Sequence, residues 1–306
     1  MGLDIANDGL EKQRAKRKRV ARMKKMIVHT IIVFMLLTIA VLVFLVFQVV
    51  SLQKQINALA AQIAVTETVE DTDEMVDDSF LDNVYLVDNA DNIAEEGDIP
   101  MVYLTFDDGP SENTDAILDI LDDYNVKATF FVVGQDTEVY GDAYRRIVDE
   151  GHSIGMHSFS HNYSKLYQSQ DSFIADYNKI HDLILDTTGV DTKLYRFPGG
   201  SSNKVSNTGM SVFINYLNSV GAVYYDWNVA SGDATSQAFT ADELVDNVMS
   251  DVVKYKTSVV LLHDGANKDT TVEALPRLIE SLNDAGAMIL PITDETEIIQ
   301  HVSVVQ

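Results

Sequence analysis

The sequence predicts an α/β body of about seven strands, a barrel or an open doubly wound sheet, preceded by a single N-terminal transmembrane helix. Three observations predict it. From Ile99 onward, short apolar runs alternate with amphipathic stretches of 10–18 residues, the pattern of repeated β-α units. Clusters of unusual polar residues each stand just after one of those apolar runs. An uncharged segment, Met26–Val50, separates a basic tail from an acidic remainder.

In chain order, residues 1–25 are a basic tail. Nine Lys and Arg side chains stand against Asp4, Asp8 and Glu11, which leaves 13 basic and 44 acidic groups to the rest of the chain. As a helix, Met26–Val50 would be about 36 Å long, enough for a hydrocarbon core of ~30 Å. The positive-inside rule places residues 1–25 in the cytoplasm and everything after Val50 outside. A cleavable signal peptide is the competing reading. Its apolar region would run about 7–15 residues, and this one is longer. The small-residue site Ala58-Leu59-Ala60 also lies well past it.

Residues 51–98 read as a helical stalk and an acidic spacer. Leu52, Ile56, Leu59 and Ile63 lie on one helical stripe, which continues the membrane helix or pairs two copies as a weak homodimer. Residues 66–98 carry thirteen acids and no Lys or Arg, so self-repulsion should keep them extended. Val84 to Val87 are a candidate edge strand.

Residues 99–306 form the body. Strands are expected at Val102–Phe106, Thr129–Val133, Ser153–Met156, Leu194–Phe197, Ala222–Asp226, Ser258–His263 and Met288–Ile292. Helices are expected at Thr114–Tyr124, Ala143–Glu150, Ser172–Thr187, Gly209–Ser219, Ala241–Tyr255 and Val272–Ala285. The formal net charge of −25 argues against nucleic acid as a partner, since duplex binding needs a clustered basic face. The absence of cysteine excludes disulfides, thiolate metal sites and cysteine nucleophiles.

The polar clusters are Asp107-Asp108-Gly109, His157 to His161, Arg196, Asp226-Trp227 and His263-Asp264. In β/α barrels the C-terminal strand ends form the active-site face, so five clusters on one rim point to an enzyme. His157 and His161, four apart on a helical turn, would present both imidazoles to a divalent metal. Asp107 and Asp108 offer one carboxylate as an oxygen ligand and one as a proton acceptor. Arg196 would clamp a carboxylate through its planar fork. His263 stands as a candidate general acid, with Asp226 to hold its tautomer. Singly, each has a bland alternative in a surface ion pair, an acidic turn or a satisfied core residue. Their coincidence argues for function.

Thr105-Phe106-Asp107-Asp108-Gly109-Pro110, His157-Ser158-Phe159-Ser160-His161, Arg196-Phe197-Pro198-Gly199-Gly200, Asp226-Trp227 and Leu261-Leu262-His263 resemble the five ordered motifs of the polysaccharide deacetylases, the NodB-homology or carbohydrate esterase family 4 enzymes. The resemblance covers roughly residues 99–300. It implies a distorted (β/α) barrel that removes N-acetyl groups from a sugar polymer with a divalent metal, usually zinc. It implies Asp108, His157 and His161 as metal ligands and Asp107 as general base, oriented by Arg196. His263, paired with Asp226, would protonate the departing amine. Gly199 would offer its backbone N–H to the oxyanion, and Trp227 and Leu261 would wall the acetyl pocket. Two positions depart from the family's pattern. Gly199 stands where a Tyr is common, and Met156 precedes His157 where an Asn is common.

The function expected is deacetylation of N-acetylglucosamine in peptidoglycan by a body held outside the cell membrane. Alternatives left open are another acetylated glycan, such as poly-N-acetylglucosamine, chitooligosaccharide or xylan, and a noncatalytic wall-binding scaffold.

Overall fold

The computed structural model describes residues 84–304, apart from 88, 89, 96 and 207. The basic tail, the proposed membrane span, the stalk stripe and most of the acidic run lie outside the described residues. Among the described residues no helix is long and apolar enough to cross a membrane.

The body is a curled parallel sheet with helices packed against it. Its strands are β2 (Met101–Asp107), β3 (Thr129–Val132), β4 (Ser153–Met156), β5 (Leu194–Tyr195), β6 (Val223–Tyr224), β7 (Val229–Ala230), β8 (Thr257–His263) and β9 (Met288–Ile289), and the order across the sheet is β6-β5-β4-β3-β2-β8-β7. β9 pairs Met101 and Val102 of β2, while β3 pairs Thr105 to Asp107, so the two share one side of that strand. The expected barrel is therefore an open one: among the described residues β6 and β7 end the sheet without pairing to each other.

The helices are α1 (Thr114–Asp123), α2 (Thr137–Asp149), α3 (Tyr163–Leu166), α4 (Gln170–Thr188), α5 (Met210–Ser219), α6 (Ala241–Val252) and α7 (Asp269–Asp284). Each of the longer ones buries one stripe, as Ile117, Leu118 and Leu121 do in α1. Local signals set their ends. The Thr240 hydroxyl accepts from Glu243 N–H, and the Glu243 carboxylate accepts from Thr240 N–H at the start of α6. Gly189, with φ of 77°, closes α4 in the left-handed conformation that glycine takes without a Cβ penalty.

Side chains alternate along β2, and the two faces do different work. Val102, Leu104 and Phe106 pack under the helices in the main core. Tyr103 joins Phe131, Tyr225, Val259, Ile292 and Ile299 in a smaller core inside the curl of the sheet. Thr105 and Asp107 therefore share the inner face, with Asp107 at the C-terminal end.

The body also begins before Ile99. β1 (Val84–Leu86) pairs antiparallel with β10 (Val302–Val304), in a stretch whose charge reads as a spacer. Asn92 is buried, and its amide exchanges two 2.7 Å hydrogen bonds with the Thr257 backbone. Backbone pairing and a buried amide outweigh the mutual repulsion of the neighbouring acids here.

Candidate active site

Two adjacent strands bring the acid–base groups together, because the parallel register of β2 and β8 sets Asp107 opposite His263. Asp107 is 2% exposed, and Arg196, directly after β5, is fully buried beside it. Arg196 Nη1 donates to Asp107 Oδ1 at 2.9 Å and to Thr105 Oγ1 at 2.6 Å. Its Nε and Nη2 donate to the Tyr225 and Asp226 carbonyls, each at 3.0 Å. The guanidinium carbon also sits 4.2 Å from the Phe131 ring centroid. Such pairing is what allows a guanidinium to be buried at all. Burial pushes the Asp107 carboxyl above its usual range, against the opposing pull of Arg196 and His263.

Asp108 leaves β2 with φ of 75°, a left-handed conformation uncommon for a residue with a side chain. Its Oδ1 lies 3.1 Å from His161 Nε2 and 3.6 Å from His157 Nε2. The two histidines do not stand on a helical turn. They sit in a loop after β4 in which Ser158 and His161 take φ of 70° and 44°. Asp176 of α4 accepts from Phe159 N–H at 2.6 Å and Ser160 N–H at 3.1 Å, replacing the bonds a helix would supply. The resulting ring centroids are 5.2 Å apart. His157 Nδ1–H donates to the Arg196 carbonyl at 2.9 Å, which leaves the Nε2 lone pair facing Asp108. Burial pushes His157 down to about 3, so the ring is neutral at physiological pH.

These three residues fit a divalent metal. Their ligand atoms all lie within 4.8 Å of one another, and Asp108 Oδ1 is buried with no hydrogen-bond partner. A buried carboxylate oxygen facing two imidazole lone pairs is costly unless a cation shares it, and two nitrogens with one oxygen suit zinc-like ions.

One expected pairing is corrected. His263 Nδ1 bonds Asp233 Oδ1 at 2.8 Å, and His263 N–H donates to Asp233 Oδ2 at 2.8 Å. Asp226 is engaged elsewhere: it accepts from the Ser201 N–H at 2.8 Å, the Ser201 hydroxyl, and His301 N–H at 2.7 Å. It ties the loop after β5 to the C-terminal segment. Although burial opposes the charge, the Asp233 partnership and the Asp107 and Asp108 carboxylates hold the His263 pKa above the ordinary histidine value.

The remaining expected residues line the same rim. Leu261 is half-buried on the inner face of β8, two residues before His263. Trp227 is half-buried, with His301 Nε2–H donating to its carbonyl at 2.8 Å and the His301 ring edge-on at 4.9 Å. Gly199 has φ of 80°, and among the described residues its N–H meets no protein acceptor.

Asp233, Asp176 and His301 were not legible as site residues. Asp233 follows β7, a two-residue strand too short to show a period, and Gly232-Asp233 alone reads as a turn. Asp176 lies on a helix face, and His301 lacks any motif around it.

A family model described as polysaccharide deacetylase matches residues 94–212. The putative polysaccharide deacetylase YheN of Bacillus subtilis (strain 168) is 38% identical over 188 residues, covering 60% of this chain and 64% of that protein. A peptidoglycan-N-acetylglucosamine deacetylase of Bacillus cereus is 32% identical over 190 residues, covering 61% of this chain and 67% of that protein. The chain thus spans about two thirds of the length of each of these relatives. The solved catalytic domain of peptidoglycan N-acetylglucosamine deacetylase from Eubacterium rectale is 38% identical with a TM-score of 0.63, covering 69% of this chain and 96% of that one. Ordered motifs, a common fold and these matches together lead to one conclusion: the chain belongs to the polysaccharide deacetylase family.

Proposed function

We propose that this chain is a metal-dependent hydrolase that removes N-acetyl groups from cell-wall glycan, with N-acetylglucosamine of peptidoglycan as its substrate. The observation that carries the reading is the opposition of Asp107 and His263 on adjacent strands, beside the Asp108, His157 and His161 cluster.

Asp108, His157 and His161 would hold the cation, zinc by the chemistry of the donor set, which when bound supplies Lewis-acid activation of an acyl oxygen and of water. Asp107 takes the proton of the attacking water. Arg196 fixes the orientation of that carboxylate through its hydrogen bond, and the Thr105 hydroxyl, accepting from the same guanidinium nitrogen, holds Arg196 in place. The free N–H of Gly199 is the backbone donor available to the oxyanion of the tetrahedral intermediate. As the C–N bond breaks, His263 gives its proton to the nitrogen, because an amine is a poor leaving group until protonated. Acetate and a glucosamine amine result. Leu261 and Trp227 offer apolar walls for the acetyl methyl group. The organisation proposed around this body is a cytoplasmic tail (1–25), one membrane helix (26–50) and a stalk that holds the site outside the cell.

The test is acetate release by the full chain, zinc added, from peptidoglycan and from chitooligosaccharide, with Asp107→Asn as control. Release from peptidoglycan that vanishes in the variant is the expected result. Release from the oligosaccharide alone would move the substrate to another glycan. Release from neither, by folded and zinc-loaded protein, would overturn the reading.

A further inference from the structure

Tyr163 opens the short helix α3, two residues beyond His161. Its ring stands edge-on to His161, with centroids 5.6 Å apart at 85°, and edge-on to Tyr167 at 6.1 Å and 70°. Tyr167 in turn donates its hydroxyl to the Pro198 carbonyl at 2.8 Å, which fixes the loop carrying Gly199. A Cβ built on Gly199 would lie 3.0 Å from Tyr163 Cε1 and 3.3 Å from its hydroxyl oxygen. The phenol therefore occupies the space that any side chain at 199 would need.

The hydroxyl differs from those of Tyr167, Tyr224 and Tyr225, which have partners, and from that of Tyr195, which also lacks one but is sealed in the main core. The Tyr163 ring is half-buried against the core, yet among the described residues the hydroxyl makes no hydrogen bond to the protein. The Tyr167, Tyr224 and Tyr225 hydroxyls each donate to a carbonyl. A positioned phenol with an idle donor, beside a candidate metal ligand and over a glycine that clears its place, is suited to a ligand oxygen.

We infer that Tyr163, its phenol seated in the space that Gly199 leaves clear, is a substrate-contacting residue whose hydroxyl donates a hydrogen bond to a hydroxyl or ether oxygen of the N-acetylhexosamine. The inference rests on the glycan-deacetylase reading above. It concerns the sugar, so a small acetyl ester without a sugar does not use the contact.

The test compares wild type with Tyr163→Phe in the full chain, since Phe keeps the ring and its packing. Three readouts are taken: binding of chitotetraose, kcat/KM for its deacetylation, and hydrolysis of 4-nitrophenyl acetate. Binding and kcat/KM on the glycan should each fall about tenfold, the range of one hydrogen bond lost. Ester hydrolysis and zinc content should not change. A variant indistinguishable from wild type on the glycan, or equally impaired on glycan and ester, overturns the inference and leaves the enzyme reading standing. A wild type that neither binds nor cleaves any glycan overturns both.

Discussion

Asp226 and Asp233 lie seven residues apart and are both almost fully enclosed, yet they hold different things. Asp233 faces His263 and also accepts from the Thr271 hydroxyl at 2.8 Å. Its charge favours the imidazolium, so His263 keeps its proton to higher pH than a free histidine and the acid step persists until pH rises through that raised value. Asp233→Asn removes the anion, lowers that pKa, and should shift the alkaline fall of kcat to lower pH with a drop in kcat of about 10²-fold or more. Asp226→Asn should leave the position of the alkaline fall unchanged. A pH–rate profile of each variant checks this, and an Asp233→Asn profile superposable on wild type would remove Asp233 from the proton-transfer pair. The same sign governs stability: the His263–Asp233 pair stabilises fully below the ordinary histidine pKa and loses that contribution as pH rises through the raised one. His157 has the opposite character, neutral through burial and ready to ligate. At zinc a hundredfold above Kd the bound ion stabilises by about 2.7 kcal/mol, so a chelator should lower the wild-type melting temperature. It should not shift that of His157→Ala, and an equal shift in both proteins would place the metal elsewhere.

Elements, rather than single residues, set where these groups stand. The β2–β8 register delivers Asp107 and His263, and β3 and β4 support the same floor. Gly155 in β4 is necessary there: a Cβ would lie 2.6 Å from Phe131 Cδ1 and 3.1 Å from Leu194 Cβ, and Phe131 carries the Arg196 guanidinium. Gly155→Ala should destabilise by about 1–3 kcal/mol in chemical denaturation, as overpacked cores do, and an unchanged midpoint would show that the ring has room to yield. The sequence made β4 legible to the residue because the short run Ser153–Met156 is bounded by His152, behind Gly151, and by His157. β5, β6 and β7 are two residues long each and end on buried polar groups, so expected strands overran them or missed them. The His157–His161 pair was legible from its spacing although the geometry behind it is a left-handed loop held by Asp176, not a helix. Motifs thus marked the residues on the rim. The partner that orients His263, Asp233, depends on how a loop folds back, which no local pattern in this chain records.

At the scale of the whole molecule the chain is divided by charge. A basic tail and an uncharged run precede a body in which acids far outnumber bases. The proposed anchor predicts that the full chain sediments with membranes and is released by detergent but not by salt. A chain lacking residues 1–50 should remain in the supernatant, and salt release of the full chain would contradict the span. What distinguishes the proposed reaction is the bond that is cut. Amide and ester substrates both give acetate, and only the amide leaves a new amine. The decisive measurement is the ratio of free glucosamine amine to acetate formed from purified peptidoglycan by the zinc-loaded chain, with Asp107→Asn in parallel. One amine per acetate, and neither product from the variant, is the expected result. Acetate without amine, or undiminished release by Asp107→Asn, would contradict it.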